Sequence, residues 1–177
     1  MGVLILSGPP GVGKTTVAGL LACRSETAVH LEADRFFFFI RNGFIEPWDP
    51  ASHEQNQVVM RIAAESAASY AAAGYATTLE GIVIPRWTLG VIREAIEAAG
   101  VPVAYAVLRA PQSACAARVE EREGSPDIFD PAVLARIAAE FDDLGEFERN
   151  AIDVAGMDAG QAAAAVAARL GGGDLAR

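Results

Sequence analysis

A chain of 177 residues, 52% apolar and 21% charged, has enough apolar side chains to bury a real core and is wrong in composition for a disordered protein. Its formal net charge of −9 argues against a protein that lives on nucleic acid, without excluding a local basic pocket for phosphates. No apolar run reaches the roughly 18 residues that span a membrane, and Cys23 and Cys115 lie outside any CxxC or Cys/His cluster. The expectation is therefore a reduced, cytoplasmic protein forming one domain over residues 1–177.

The first element, GVLILSG, is a short apolar run stopped by glycine and reads as a buried strand. It runs into GPPGVGKTT, in which Gly8, Gly13, Lys14 and Thr15 match G-x-x-x-x-G-K-[ST] without a mismatch. The context fits as well, because GKTTVAGLLACRS has apolar residues at helical spacing. Glycines let backbone N–H groups approach phosphate oxygens, and the helix starting near Lys14 turns its N-terminal dipole to the same anion. Lys14 is expected to meet the β- and γ-phosphates and the Thr15 hydroxyl to ligate Mg²⁺. Nucleotide contacts are assigned to Gly8, Pro9, Pro10, Gly11, Val12, Gly13, Lys14, Thr15 and Thr16.

The second strand, AVHLEAD, ends in Glu32 and Asp34, whose i, i+2 spacing puts both carboxylates on one face of a strand. Asp34 suits a carboxylate that orients an acceptor hydroxyl and takes its proton; the alternative is a cap for the following helix. His30 and His53 read as structural or exposed. FFFFIRNGFIEPWDP, broken by Gly43, Pro47 and Pro50, reads as a short helix and loop. Its aromatics and Arg41 could receive an acceptor with an apolar body, or several phenylalanines are simply core. A long alanine-rich helix follows and ends at Gly74.

Strand three, YATTLEGIVI, brings Glu80 and Gly81 to the same sheet edge, as contacts for substrate or magnesium or as a solvated strand end. The helix RWTLGVIREAIEAAG, strand four in VPVAYAVLRA and the helix PQSACAARVEERE come next. That last helix carries Arg118 and Arg122 four apart, suited to stacking and phosphate contact or merely paired with neighbouring glutamates. A polar break leads to the helix AVLARIAAEFDDL, a fifth strand in NAIDVAG and the helix DAGQAAAAVAARL. The tail GGGDLAR is expected to fray. Strands alternating with helices imply a parallel sheet covered on both faces, with the loops after the strands gathered along one edge.

The glycine loop, the element order and the short length resemble the small P-loop kinases, the group of adenylate, shikimate and gluconate kinases, chloramphenicol phosphotransferase and the zeta toxins. The resemblance spans essentially the whole chain. It implies a three-layer α/β P-loop NTPase fold with a five-stranded parallel sheet in the order 2-3-1-4-5. It also implies an acceptor-binding region at about 36–74, a small lid at about 118–131, and ATP with Mg²⁺ as cofactors. The Glu32/Asp34 pair resembles the acidic pair of shikimate kinases, one carboxylate supporting magnesium and the other meeting the acceptor. Arg118 and Arg122 resemble the R-x-x-x-R at the start of adenylate kinase lids, where the first arginine stacks on adenine and the second reaches the phosphates. The loop at Gly156 then lies near the base.

The expected function is transfer of the γ-phosphate of Mg·ATP to a hydroxyl of a small molecule, such as an antibiotic, a sugar or polyol acid, or a similar metabolite. The catalytic set is Lys14, Asp34, Arg118 and Arg122; Asp34, Arg41, Glu80 and Gly81 meet the acceptor; Thr15 and Glu32 hold the metal. The alternatives are a nucleotide or polynucleotide 5′-hydroxyl kinase and an ATP-bound switch without an acceptor. Acidity weighs against the polynucleotide reading, and oligomeric state leaves no trace in the sequence.

Overall fold

The structure, a computed structural model, describes residues 1–120 and 130–175. In chain order the elements are β1 (Val3–Ser7), α1 (Lys14–Ala22), β2 (Ala28–Glu32), α2 (His53–Ala72), β3 (Ala76–Glu80) and α3 (Gly90–Ala98). They continue with β4 (Val103–Arg109), α4 (Gln112–Glu120), α5 (Pro131–Ala139), β5 (Ala151–Asp153) and α6 (Ala159–Gly171). The five strands form one parallel sheet in the order β2-β3-β1-β4-β5, as expected. Among the described residues no helix is long and apolar enough to cross a membrane.

β1 lies in the middle, and its alternation divides the core. Val3 and Ile5 join the cluster under α2, α3 and α5, which includes Leu79, Ile92, Ile96, Tyr105, Val107 and Phe141. Leu4 and Leu6 join the opposite cluster, with Val17 and Ala18 of α1, Ala106 and Leu108 of β4, and Ala162, Ala163 and Val166 of α6. Burial on both faces is why the strand reads as an unbroken apolar run, and each such side chain contributes about 1.5–3 kcal/mol. The alanine run of α2 is also explained: Ala63, Ala64, Ala67, Ala68 and Ala71 are buried together, letting α2 lie close along α3.

The helices are capped by local chemistry. At α6, Asp158 accepts the Gln161 N–H at 2.8 Å, while the Gln161 side chain accepts the Asp158 N–H at 2.9 Å, a reciprocal capping box. At α5, Asp130 accepts the Ala132 N–H at 2.8 Å and Pro131 occupies the first turn.

Two expectations are corrected. Strand two stops at Glu32, and residues Ala33–Phe39 wind into a 3₁₀ helix, so Glu32 and Asp34 do not share a strand face. The glycine-rich tail does not fray before Leu175, which is fully buried among Leu4, Leu108 and Val166. Its carbonyl accepts the Tyr105 N–H at 3.1 Å. β5 pairs with β4 only from Val107 to Arg109, leaving the earlier half of that edge to be covered by the returning tail.

Candidate functional site

The glycine loop opens at the carboxyl end of β1, and its glycines do different jobs. Gly11 has a φ of +79°, and a Cβ on it would lie 2.1 Å from the Cys115 carbonyl oxygen and 3.0 Å from Val119 Cγ2. α4 therefore rests directly on the loop, a contact that only a residue without a side chain permits. Gly13 has a φ of +103° as the residue that starts α1, but a Cβ there would meet nothing within 4 Å. The space over the helix N-terminus is open, which is the shape an anion site needs. Lys14, only 9% exposed, folds over the same loop, its Nζ donating to the carbonyls of Gly8 at 3.0 Å and Pro9 at 3.1 Å. From α4, Arg118 Nη1 reaches the Val12 carbonyl at 3.4 Å, which places the guanidinium at the rim of the loop. Arg122 lies outside the described residues.

Beside the loop, Glu80 at the end of β3 is 4% exposed and its Oε1 accepts the Thr15 hydroxyl at 2.8 Å. Burial, the largest single influence, pushes its carboxyl up, but His30, Lys14 and Thr15 together outweigh it and hold the group below the usual carboxylate value. Glu80 is thus an ionised, nearly buried acceptor. A threonine that donates its proton to Glu80 leaves its oxygen lone pairs for a cation. Glu32, the expected metal ligand, aligns with Glu80 across the β2–β3 ladder but pairs instead with Arg35 Nε at 2.8 Å. Strand order instead brings Glu80, on the strand next to β1, to the place beside Thr15.

Asp34 reaches the site by another route. Gly81 follows β3, its N–H bonds the Leu6 carbonyl of β1 at 3.2 Å, and a Cβ on it would lie 3.0 Å from Ala33 Cβ and 3.4 Å from Asp34 Oδ1. The Asp34 carboxylate therefore lies against Gly81, the residue that follows β3, the strand next to β1. With three residues per turn, the 3₁₀ helix sorts the four phenylalanines. Phe37 enters the core and Phe38 is 53% exposed, while Phe36 and Phe39 meet edge to face at 5.8 Å. The last two line an apolar groove of about 410 Å³ with Ile40, Val58, Val59, Ile62, Glu54 and Gln55. Gln55 is occupied there by both backbone groups of Ile45. Arg41 is exposed and does not line the groove. Gly156, exposed with a φ of +72°, turns the chain after β5.

One residue read from the sequence as structural or exposed lies next to Glu80. His30 of β2 aligns with Thr78, one strand from Glu80, and its Nε2 is 3.7 Å from Glu80 Oε1. The signal available in the sequence was its alternation with Glu32, but strand alignment alone decides that the neighbour is Glu80.

Residues 3–144 match the family described as an AAA domain. The chain belongs to that family. The AAA domain match runs from β1 to Leu144, so it contains the glycine loop, Asp34, Glu80 and Arg118 but not β5 or Gly156. Among solved structures, a sugar kinase from Janibacter sp. HTCC2649 superposes with a TM-score of 0.73 at 21% identity, covering 97% of this chain and 95% of that one. A tunicamycin resistance protein from Deinococcus radiodurans gives 0.71 at 22% identity, with 96% and 95% covered. A shikimate kinase from Acinetobacter baumannii gives 0.61 at 18% identity, with 99% and 96% covered. At these identities the likeness shows the fold, that of the P-loop kinases. No curated protein is significantly similar in sequence.

Proposed function

We propose that this AAA domain is an ATP-dependent phosphotransferase whose acceptor is a hydroxyl of a small molecule. The observation that carries the reading is the row Leu6–Gly81–Asp34. It sets a carboxylate against a glycine that is itself hydrogen-bonded to the strand that opens into the phosphate loop. The names of the structural neighbours, sugar kinase and shikimate kinase among them, agree with an alcohol as acceptor.

The residues take these parts. The open N-terminus of α1 and the Lys14 ammonium hold the phosphates. Arg118, already at the loop, adds a planar cation suited to a base or phosphate. Asp34 orients the acceptor hydroxyl and takes its proton as the new oxygen–phosphorus bond forms and the bond to the leaving diphosphate breaks. Magnesium fits the donor set: Thr15 and Glu80 are hard oxygen ligands. Among the described residues no group of three or more His, Cys, Asp or Glu could hold a metal. When bound, magnesium would neutralise phosphate charge. Glu80, rather than Glu32, supports it through Thr15.

The test is ADP release by the purified protein with Mg·ATP against a panel of hydroxyl-bearing metabolites and antibiotics. Asp34→Asn is expected to lower acceptor-dependent turnover by about 10²–10⁴ while leaving nucleotide affinity within about twofold. An unchanged acceptor-dependent rate in that variant removes Asp34 as the base, whereas turnover that no acceptor raises and that Asp34→Asn leaves unchanged favours an ATP-bound switch.

A further inference from the structure

His30 is a polar residue in an awkward place. It stands on β2 with Nε2 shielded from solvent and no hydrogen-bond partner. Buried polar atoms without partners are uncommon, because they lose water and gain nothing in exchange. The nearest acidic atom is Glu80 Oε1 at 3.7 Å, the same oxygen that accepts the Thr15 hydroxyl at 2.8 Å. The histidine is too far for a hydrogen bond but close enough that a shift of roughly half an ångström would make one.

The three side chains come from three segments. His30 and Glu80 lie on neighbouring strands, and Thr15 is in the first turn of α1. Their meeting has a chemical consequence at Thr15. A hydroxyl has one proton and two lone pairs. While Glu80 holds the proton, the lone pairs face away from the carboxylate and are available to a cation. If Glu80 turns aside, the hydroxyl rotates freely and can present its proton instead.

We propose that His30 is a positioning residue: it keeps the Glu80 carboxylate turned onto Thr15 and so sets how strongly a divalent cation enhances nucleotide binding. The imidazole lies beside the carboxylate and, with its proton on Nε2, offers the same Oε1 a second donor within a small shift. Removing the ring leaves room for Glu80 to swing or for water to enter. The inference rests on the phosphotransferase reading only in taking a magnesium nucleotide as the ligand.

The experiment measures the affinity of a fluorescent ATP analogue in Mg²⁺ and in EDTA, and takes the ratio as the cation enhancement. Altered partners of metal ligands typically cost 10- to 100-fold in metal affinity. His30→Ala is expected to shrink the enhancement about tenfold, with the affinity in EDTA unchanged, and His30→Gln, whose amide can still donate to Glu80, to restore most of it. An enhancement unchanged in His30→Ala overturns the inference. So does an equal fall of both affinities without rescue by glutamine, which marks a purely structural histidine. If the unaltered protein binds no nucleotide in either condition, the phosphotransferase reading fails first and takes the inference with it.

Discussion

Replacing Gly11 by alanine separates packing from nucleotide contact in the phosphate loop. The new methyl would stand 2.1 Å from a backbone carbonyl of α4, so the loop and helix must part by about 1 Å before the contact is tolerable. A left-handed alanine costs about 1–2 kcal/mol and overpacking against a rigid backbone a further 1–3, giving about 2–5 kcal/mol. For a chain of this size that is a fall in Tm of about 5–20 °C. At Gly13 nothing lies within 4 Å, so alanine there carries only the conformational cost of about 1–2 kcal/mol. Its methyl instead enters the open space over the N-terminus of α1 and should weaken nucleotide binding by about tenfold or more. Thermal unfolding with and without nucleotide reads both effects. Gly11→Ala should give the larger loss of Tm, and Gly13→Ala the larger loss of ligand-induced stabilisation. A Gly11→Ala protein melting within about 1 °C of the unaltered one would refute the claim that α4 rests on the loop.

Other expectations follow from single sites. Glu80→Gln should lower magnesium-dependent turnover by about 10- to 100-fold with the fold intact, measured by ADP release. Because the Glu80 carboxyl is held below its usual value when folded, its charge stabilises the protein above about pH 4.5 and that contribution disappears as the pH falls through the lowered value. Denaturant unfolding should therefore show the unaltered protein and Glu80→Gln converging in acid; divergence there would contradict the direction. Asp158→Ala breaks the capping box of α6 and should cost about 1 kcal/mol, or 2–4 °C in Tm. Phe141→Ala empties a site of a residue only 2% exposed, in the core cluster with Tyr105, Val107 and Leu144, and should cost about 3–5 kcal/mol by denaturant titration.

Much of the molecule could be read before any coordinate was known. The alternation of apolar runs with helical spacing implied the parallel sheet, because strands buried on both faces must be apolar throughout and a parallel return needs a crossover. The glycine loop was legible because its chemistry is local: strand, turn and helix are consecutive in the chain. Element ends were less legible. Strand two was read two residues too long because its carboxylates keep strand spacing, whereas the chain had already turned into the 3₁₀ helix. The tail looked too glycine-rich to hold, and one buried leucine holds it.

What the sequence determined by itself is whatever depends on neighbours in the chain: the phosphate loop, the caps of α5 and α6, and the two-sided burial of β1. Which carboxylate serves Thr15 was settled by strand order and register, which bring Glu80 beneath α1 while Arg35 takes Glu32. The approach of Asp34 to Gly81, of His30 to Glu80 and of α4 to Gly11 was settled in the same way. These contacts join residues far apart in the chain, and periodicity constrains only which face a side chain leaves from, not what it finds there.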